Sequence, residues 1–269
     1  MLRKVLMTLF VPFILVLLSG CNEDSSKKQE EKEVLKVGME LAYPPFEMSD
    51  KDGTPSGVSV DFAKALGDYL GRKVVIENIA WDGLIPSLKT GKIDLIISSM
   101  TITEERKKSI DFSTPYARTS LAILANKNSE VKSIEDLDKE GKKIAVKKGS
   151  TGHVYAKDNL KNAEILVFDK EAACVLEVVQ GKADGFLYDQ LTIYRNYAQH
   201  KDTTVALLKP FQKDSEHWGV ALRQNDPIKK QVDEFIKKAK EDGTFDSFAK
   251  KHLTQAKKTF DELGVPFFF

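Results

Sequence analysis

The chain is poor in the residues that make covalent or metal cross-links. It carries two cysteines, Cys21 and Cys174, and Cys21 ends an apolar leader, so the folded part has no pair for an internal disulfide. Its four histidines, His153, His200, His217 and His252, stand far apart without ligand spacing, so neither a metal site nor a cofactor is expected. An excess of one charge is also missing. The 41 Lys and Arg are interspersed with 40 Asp and Glu, which removes the basic face that nucleic-acid phosphates require. Nor is there a run of about 20 apolar residues, the length a membrane-spanning helix takes.

What is present begins with Arg3-Lys4 and an apolar stretch over 5–18 that is too short to span a bilayer and is interrupted by Pro12. This pattern predicts a secretory signal peptide over 1–20. Leu18-Ser19-Gly20-Cys21 resembles the bacterial lipobox, in which the cysteine is lipidated, with palmitate among its acyl groups, and becomes the first mature residue. The competing reading is a plain leader with a chance cysteine. Small residues before a cysteine at the end of an apolar segment favour the anchor. From Asn22 to Glu33 there is no apolar residue, too little to offset ordering entropy, so 21–33 is expected to be a solvated tether. The expected location is therefore extracytoplasmic, with membrane contact through the lipid only. Residues 34–269 are long enough for two lobes.

In that body, β-branched apolar runs alternate with segments of helical period. Strands are predicted over 34–39, 73–79, 93–98, 120–125, 142–147, 164–168 and 183–187. Helices are predicted over 58–70, 84–88, 133–138, 150–160, 170–180 and 189–199. Extended segments at 203–208 and 217–222 precede a helix over 227–240 and a last one over 244–253. Continuous apolar strands such as Ile93-Asp94-Leu95-Ile96-Ile97 suit parallel sheets covered on both faces, an α/β architecture. In such folds the ligand lies beyond the carboxyl ends of the strands. The residues just after each strand are therefore singled out: 40–46, 98–106, 147–152 and Tyr188-Asp189.

Residues 98–106 hold a fork of donors. Thr103 is a candidate N-cap, so free N–H groups gather there, and Arg106 adds a guanidinium suited to a planar carboxylate. An equally ordinary reading pairs Arg106 with Glu104 or Glu105 at the surface. A free amino acid would need such a fork for its carboxylate and an acid for its ammonium.

Several motifs now combine. Tyr43-Pro44-Pro45-Phe46, Gly91-Lys92-Ile93-Asp94, Thr101-Ile102-Thr103-Glu104-Glu105-Arg106, Ile110-Asp111-Phe112-Ser113-Thr114-Pro115-Tyr116, Gly149-Ser150-Thr151-Gly152 and Ala183-Asp184-Gly185-Phe186-Leu187-Tyr188-Asp189 occur in order. Together they resemble the polar amino acid substrate-binding proteins of ABC importers. The resemblance implies the two-lobe, type II periplasmic-binding-protein fold, each lobe a mostly parallel sheet flanked by helices, joined by two hinge strands. It implies one lobe from 34–117 and 217–269, a second from 118–216, and hinges near 116–120 and 214–218. It further implies that Arg106, Thr101, Ser150 and Thr151 hold the ligand carboxylate, and that Asp189, with Ser99 and Thr101, holds the ammonium. Tyr43 and Trp81 would be aromatic walls, with Glu40, Ser98, Lys147 and Tyr188 completing the side-chain pocket. The implied partners are a free L-amino acid and the permease subunits of an ABC transporter, with the protein itself a monomer.

Glu40 and Lys147 together would read a side-chain amide, as in glutamine, whereas a lone acid would read lysine, arginine, ornithine or histidine. Ser98-Ser99 departs from the smaller pair of glutamine-binding relatives. Two further roles remain beside uptake: an enzyme of the cyclohexadienyl dehydratase type, which uses this fold, and a sensory module. The intact amino-acid grip speaks against the first, and the second usually adds a membrane span and a signalling domain.

Overall fold

The computed structural model describes residues 33–269. The expected leader, Cys21 and all of the tether except Glu33 lie outside them. β1 (Val34–Met39) leads into a small antiparallel sheet of β2 (Ala42–Tyr43), β3 (Glu47–Ser49) and β4 (Pro55–Ser56). Then come α1 (Val58–Tyr69), β5 (Lys73–Asn78), α2 (Trp81–Lys89), β6 (Leu95–Ile96), α3 (Glu104–Lys107) and β7 (Asp111–Phe112). β8 (Ala117–Thr119) carries the chain into β9 (Leu121–Asn126), α4 (Ile134–Leu137), β10 (Lys143–Lys147), α5 (Thr151–Asn159) and β11 (Glu164–Phe168). α6 (Glu171–Val179), β12 (Gly185–Asp189), α7 (Gln190–Gln199) and β13 (Thr204–Leu207) follow. β14 (Glu216–Trp218) returns beside β8, and β15 (Ala221–Leu222), α8 (Lys229–Glu241), α9 (Thr244–His252) and α10 (Thr254–Leu263) complete the chain.

Two five-stranded sheets form, in the orders β5-β1-β6-β15-β7 and β11-β10-β12-β9-β13. Each is the centre of one lobe. In each sheet four of the five strands run the same way, as expected, and one is reversed: β1 is parallel to β5 and β6, and β10 to β11 and β12, but β15 and β9 run antiparallel to their neighbours. The reason lies in the hinge. The parallel strands run toward the interlobe cleft and deliver their carboxyl ends to it. β9 and β15 come directly from the paired hinge strands β8 and β14, so they start at the cleft and must run away from it. Leu121, the first residue of β9, accordingly stands opposite Asp189, the last of β12.

The burial pattern follows the sequence. All six residues of β9, Leu-Ala-Ile-Leu-Ala-Asn, are buried, as a strand covered on both faces requires. α1 buries Val58, Val60, Phe62, Ala63 and Leu66 against the first sheet. Cys174 on α6 is wholly buried, and burial pushes its thiol up to about 12, so it packs as a small apolar side chain.

The elements expected from periodicity stop at Leu253, but the chain continues through α10 and folds its last residues back onto the hinge. The backbone N–H of Arg118 donates to Phe268 O at 2.9 Å, and the Phe268 ring packs on Phe46 and Phe260, with centroids 4.9 and 5.6 Å away. α10 itself buries only Thr259 and Phe260, too little to show as a helical stripe.

Gly152 lets α5 approach the second sheet. A Cβ there would lie 2.4 Å from the Leu187 carbonyl oxygen, a backbone atom that cannot move aside cheaply. Alanine in a helix gains about 1 kcal/mol over glycine, but overpacking costs about 1–3 kcal/mol. Gly152→Ala is therefore expected to be a net destabilisation, read as a lower urea midpoint; a midpoint at or above the wild type would show that the helix can back away.

Candidate functional site

Four strand ends converge on one cleft. Its walls include Glu40, Tyr43, Trp81, Ser98, Ser99, Thr101, Arg106, Ser150, Thr151, Tyr188 and Asp189, so all but one of the expected contact residues line it. Lys147, the exception, reaches it indirectly, through an ion pair with Glu40 and with its Nζ 5.4 Å from the centre of the Trp81 ring.

Arg106 sits in the single turn of α3, whose N-cap Thr103 accepts the Arg106 N–H at 3.2 Å. Glu104 and Glu105 pair with Lys107 and Lys108, so the surface pairing of Arg106 does not occur. Its guanidinium instead donates to the carbonyl of Thr101 at 2.6 Å and, across the cleft, to that of Gly149 at 3.1 Å, and it stacks 5.3 Å from the Trp81 centroid. Burial lowers its pKa to about 10, which leaves it a cation at neutral pH. Carbonyls neutralise none of that charge, so the guanidinium remains able to receive an anion.

On the other lobe, Ser150 caps α5 and its Oγ accepts the N–H of His153 at 3.1 Å. The N–H groups of Thr151 and Gly152, in the first turn of α5, have no partner within the helix, and Thr151 lines the same cleft. Asp189 caps α7: its Oδ1 accepts from the N–H groups of Leu191 and Thr192, both at 3.0 Å. Its Oδ2 is buried without a hydrogen-bond partner among the described residues. Burial raises the pKa of this acid. A buried carboxylate oxygen left single costs about 1–3 kcal/mol, an amount that a cation at that point would recover.

Glu40 lies across from Lys147, and its backbone N–H donates to Ser98 Oγ at 3.0 Å. Because the two side chains come from different lobes, their ion pair spans the cleft. Tyr43 and Tyr188 meet edge to face, 6.0 Å between centroids.

Five lining residues are not marked by any sequence motif: Glu47, Thr119, Leu121, Glu216 and Trp218. Thr119, Leu121, Glu216 and Trp218 belong to or adjoin the hinge strands, where no pattern singles them out. Glu47 stands one residue beyond the Tyr43–Phe46 motif and could have been found by it. It is 1% exposed, accepts hydrogen bonds from Ser59, Ser98 and Ser99 at 2.6, 3.2 and 3.0 Å, and has no cation in contact among the described residues. Burial outweighs these hydroxyls and raises its pKa to about 8. Ser99 holds a left-handed backbone, φ 48°, unusual for a side chain with Cβ and consistent with its fixed role beneath the cleft. Among the described residues no group of three or more His, Cys, Asp or Glu is placed to hold a metal, and no helix is long and apolar enough to cross a membrane.

Two mixed sheets with a hinged cleft between them, a cation on one wall and an acid on the other, define a two-lobed solute-binding protein. The chain belongs to the bacterial extracellular solute-binding proteins, family 3, whose pattern it matches over residues 35–255. It is 32% identical over 236 residues to the L-cystine-binding protein TcyJ of Escherichia coli K12, covering 87% of each chain. To the ABC transporter glutamine-binding protein GlnH of Bacillus subtilis it is 30% identical over 261 residues, covering 90% of this chain and 94% of that one. Among solved structures it is similar to the ancestral amino acid-binding protein AncCDT-1, a precursor of cyclohexadienyl dehydratase, with a TM-score of 0.75 and 39% identity over 82% of this chain and 95% of that one.

The raised pKa of Glu47 has a signed consequence. An acid that holds its proton more tightly when folded contributes stability that is present below its unfolded pKa of 4.5 and is lost as pH rises to about 8. The loss amounts to a few kcal/mol, because each tenfold difference in proton affinity is worth about 1.4 kcal/mol. Glu47→Gln, with no proton to lose, is expected to match the wild type near the unfolded pKa of 4.5, to exceed it increasingly as pH rises to about 8, and to hold a constant lead above that in thermal unfolding. Parallel curves would show that Glu47 does not titrate in this window.

Proposed function

We propose that this protein is the extracytoplasmic binding component of an ABC importer and captures a free L-amino acid between its lobes. The observation that carries the proposal is the pairing of Arg106 on one lobe with the unpartnered Oδ2 of Asp189 on the other, both lining one cleft. The guanidinium, Ser150 and the first-turn N–H groups of α5 receive the carboxylate; Asp189 receives the ammonium, with Ser99 and Thr101 beside it. Thr101 and Thr151 complete the carboxylate side in the simplest assignment. The lobes divide at 34–117 with 217–269 and at 118–216, and a ligand touching both stabilises closure by its differential affinity for the closed state. A lipid on Cys21 would hold the monomer at the membrane beside its permease subunits, after removal of 1–20.

The Glu40–Lys147 pair supports a polar, uncharged side chain, with glutamine first: its amide offers an N–H donor to the acid and an oxygen acceptor to the ammonium. The relative from Bacillus subtilis, named for glutamine, agrees with that reading. A cationic amino acid is the second reading, favoured by Glu47, a buried acid with no cation in contact among the described residues. The dehydratase reading is set aside because Glu40 is engaged with Lys147 and the open oxygen of Asp189 is taken by the ligand ammonium.

Calorimetry and thermal unfolding against the common amino acids test the proposal. A ligand at a hundred times its dissociation constant should add about 2.7 kcal/mol of stability, and Arg106→Ala should remove the response. Near-normal binding by Arg106→Ala would end the proposal. Lys147→Met leaves Glu40 unpaired and should move preference from glutamine toward arginine and lysine; an unchanged order of preference would separate Glu40 and Lys147 from specificity.

A further inference from the structure

Glu216 stands on the hinge strand β14, outside every motif, and its carboxylate joins the two lobes. One oxygen, Oε2, accepts from Thr101 Oγ1 of the first lobe and from Thr151 Oγ1 of the second, each at 3.0 Å. β14 is fixed in place by its antiparallel pairing with β8, in which Glu216 stands opposite Thr119. Thr101 is fixed as well, bridged to Trp218 and followed by Ile102, whose N–H donates to His217 O at 2.8 Å. Glu216 and Thr101 are thus held by backbone registers, and Thr151 by its place at the start of α5, rather than by one another.

A hydroxyl has one proton and two lone pairs. Both threonine protons point at Glu216, so each hydroxyl presents only lone pairs to the cleft. Ser150 is the reverse: its oxygen accepts the His153 N–H, and its own proton has no acceptor among the described residues. Ser99 resembles the threonines, since its proton goes to Glu47.

We infer that Glu216 is a positioning residue that sets the polarity of the site: by taking the protons of Thr101 and Thr151 it makes both hydroxyls acceptors for the ligand ammonium. The carboxylate is left to Arg106, the Ser150 hydroxyl and the N–H groups of Thr151 and Gly152. This divides the two roles open to Thr101 and removes the Thr151 hydroxyl, though not its N–H, from the carboxylate side. The inference rests on the amino-acid reading of the cleft.

Glu216→Gln tests it at almost constant volume. A glutamine has one oxygen and one NH2, so one threonine must turn round, accept from the amide and aim its proton at the ammonium. Calorimetry with L-glutamine and L-arginine, using whichever binds the wild type, should show a loss of about ten-fold, the scale of one hydrogen bond to a charged group. In a Thr101→Val background the same change should cost much less, because the affected acceptor is gone. Thr101→Ser should recover most of what Thr101→Val loses, a rescue that a purely structural role for the side chain would not give. The ligand-free melting temperature of Glu216→Gln reports folding separately. An affinity unmoved by Glu216→Gln, losses that add in the double variant, or equal losses in Thr101→Ser and Thr101→Val would each overturn the inference while leaving the amino-acid reading intact. A wild type that binds neither amino acid, nor any other in the panel, would overturn the amino-acid reading and the inference together.

Discussion

A charge taken out of water must find a partner or give up its charge, and this rule governs the cleft more than any other feature. An isolated buried ion carries a penalty of several kcal/mol, comparable with a large fraction of a domain's whole stability. Each charged residue at the strand ends meets the rule differently. Lys147 and Glu40 meet it by pairing across the lobes. Arg106 meets it in part, with carbonyls on both sides of the cleft that satisfy its N–H groups and leave its charge. Asp189 satisfies one oxygen on the start of α7 and leaves the other open. Glu47 keeps its proton, with a pKa near 8. The two incomplete solutions, Arg106 and Asp189, are opposite in sign and belong to opposite lobes, which gives the cleft its fit to a small zwitterion.

The direction of the strands follows from the same need. Functional side chains gather where parallel strands end, and a chain that crosses between lobes must enter each sheet from that end. β9 and β15 therefore run against their neighbours, and the hinge strands lie directly beneath the ligand groups. Trp218 illustrates the consequence. It is 2% exposed, lies 4.9 Å from Phe46 and 5.6 Å from Phe268, and lines the cleft as well. Aromatic contacts of this kind are worth about 0.5–1.5 kcal/mol beyond burial. One ring thus ties the floor of the site, the hinge and the returning C-terminal segment together, so that a change in the hinge is felt at the ligand.

How much of this was legible in the sequence depended on whether a residue's role was local. Ser150 and Asp189 each cap the helix that follows a strand, and Arg106 lies in the single turn capped by Thr103, positions that periodicity and capping residues mark; the structure places all three on the cleft. Strand boundaries were close, with β12 running two residues further than expected, to Asp189 itself. Mixed pairing was not legible, because a strand's direction is set by where the chain comes from rather than by its residues. Glu216 was invisible for a related reason: its partners lie 115 and 65 residues away. α10 failed to register because its burial depends on Phe268 folding back over it.

The balance of charge in the cleft bears on the kind of side chain it accepts. Four acids line it, Glu40, Glu47, Asp189 and Glu216, against the guanidinium of Arg106 and, behind the wall, the ammonium of Lys147. Taken as bare charges, that excess calls for a cationic ligand. Hydroxyls change the count: three serines donate to Glu47 and two threonines to Glu216. Hydrogen bonds to an ionised group are roughly twice as strong as neutral ones, so the two threonines offset much of what a counter-ion would supply to Glu216. Glu47, protonated at neutral pH, drops out of the sum altogether. On the proposed reading, what remains opposite the ligand side chain is a matched pair, one donor and one acceptor, which a neutral amide would meet without leaving either Glu40 or Lys147 alone.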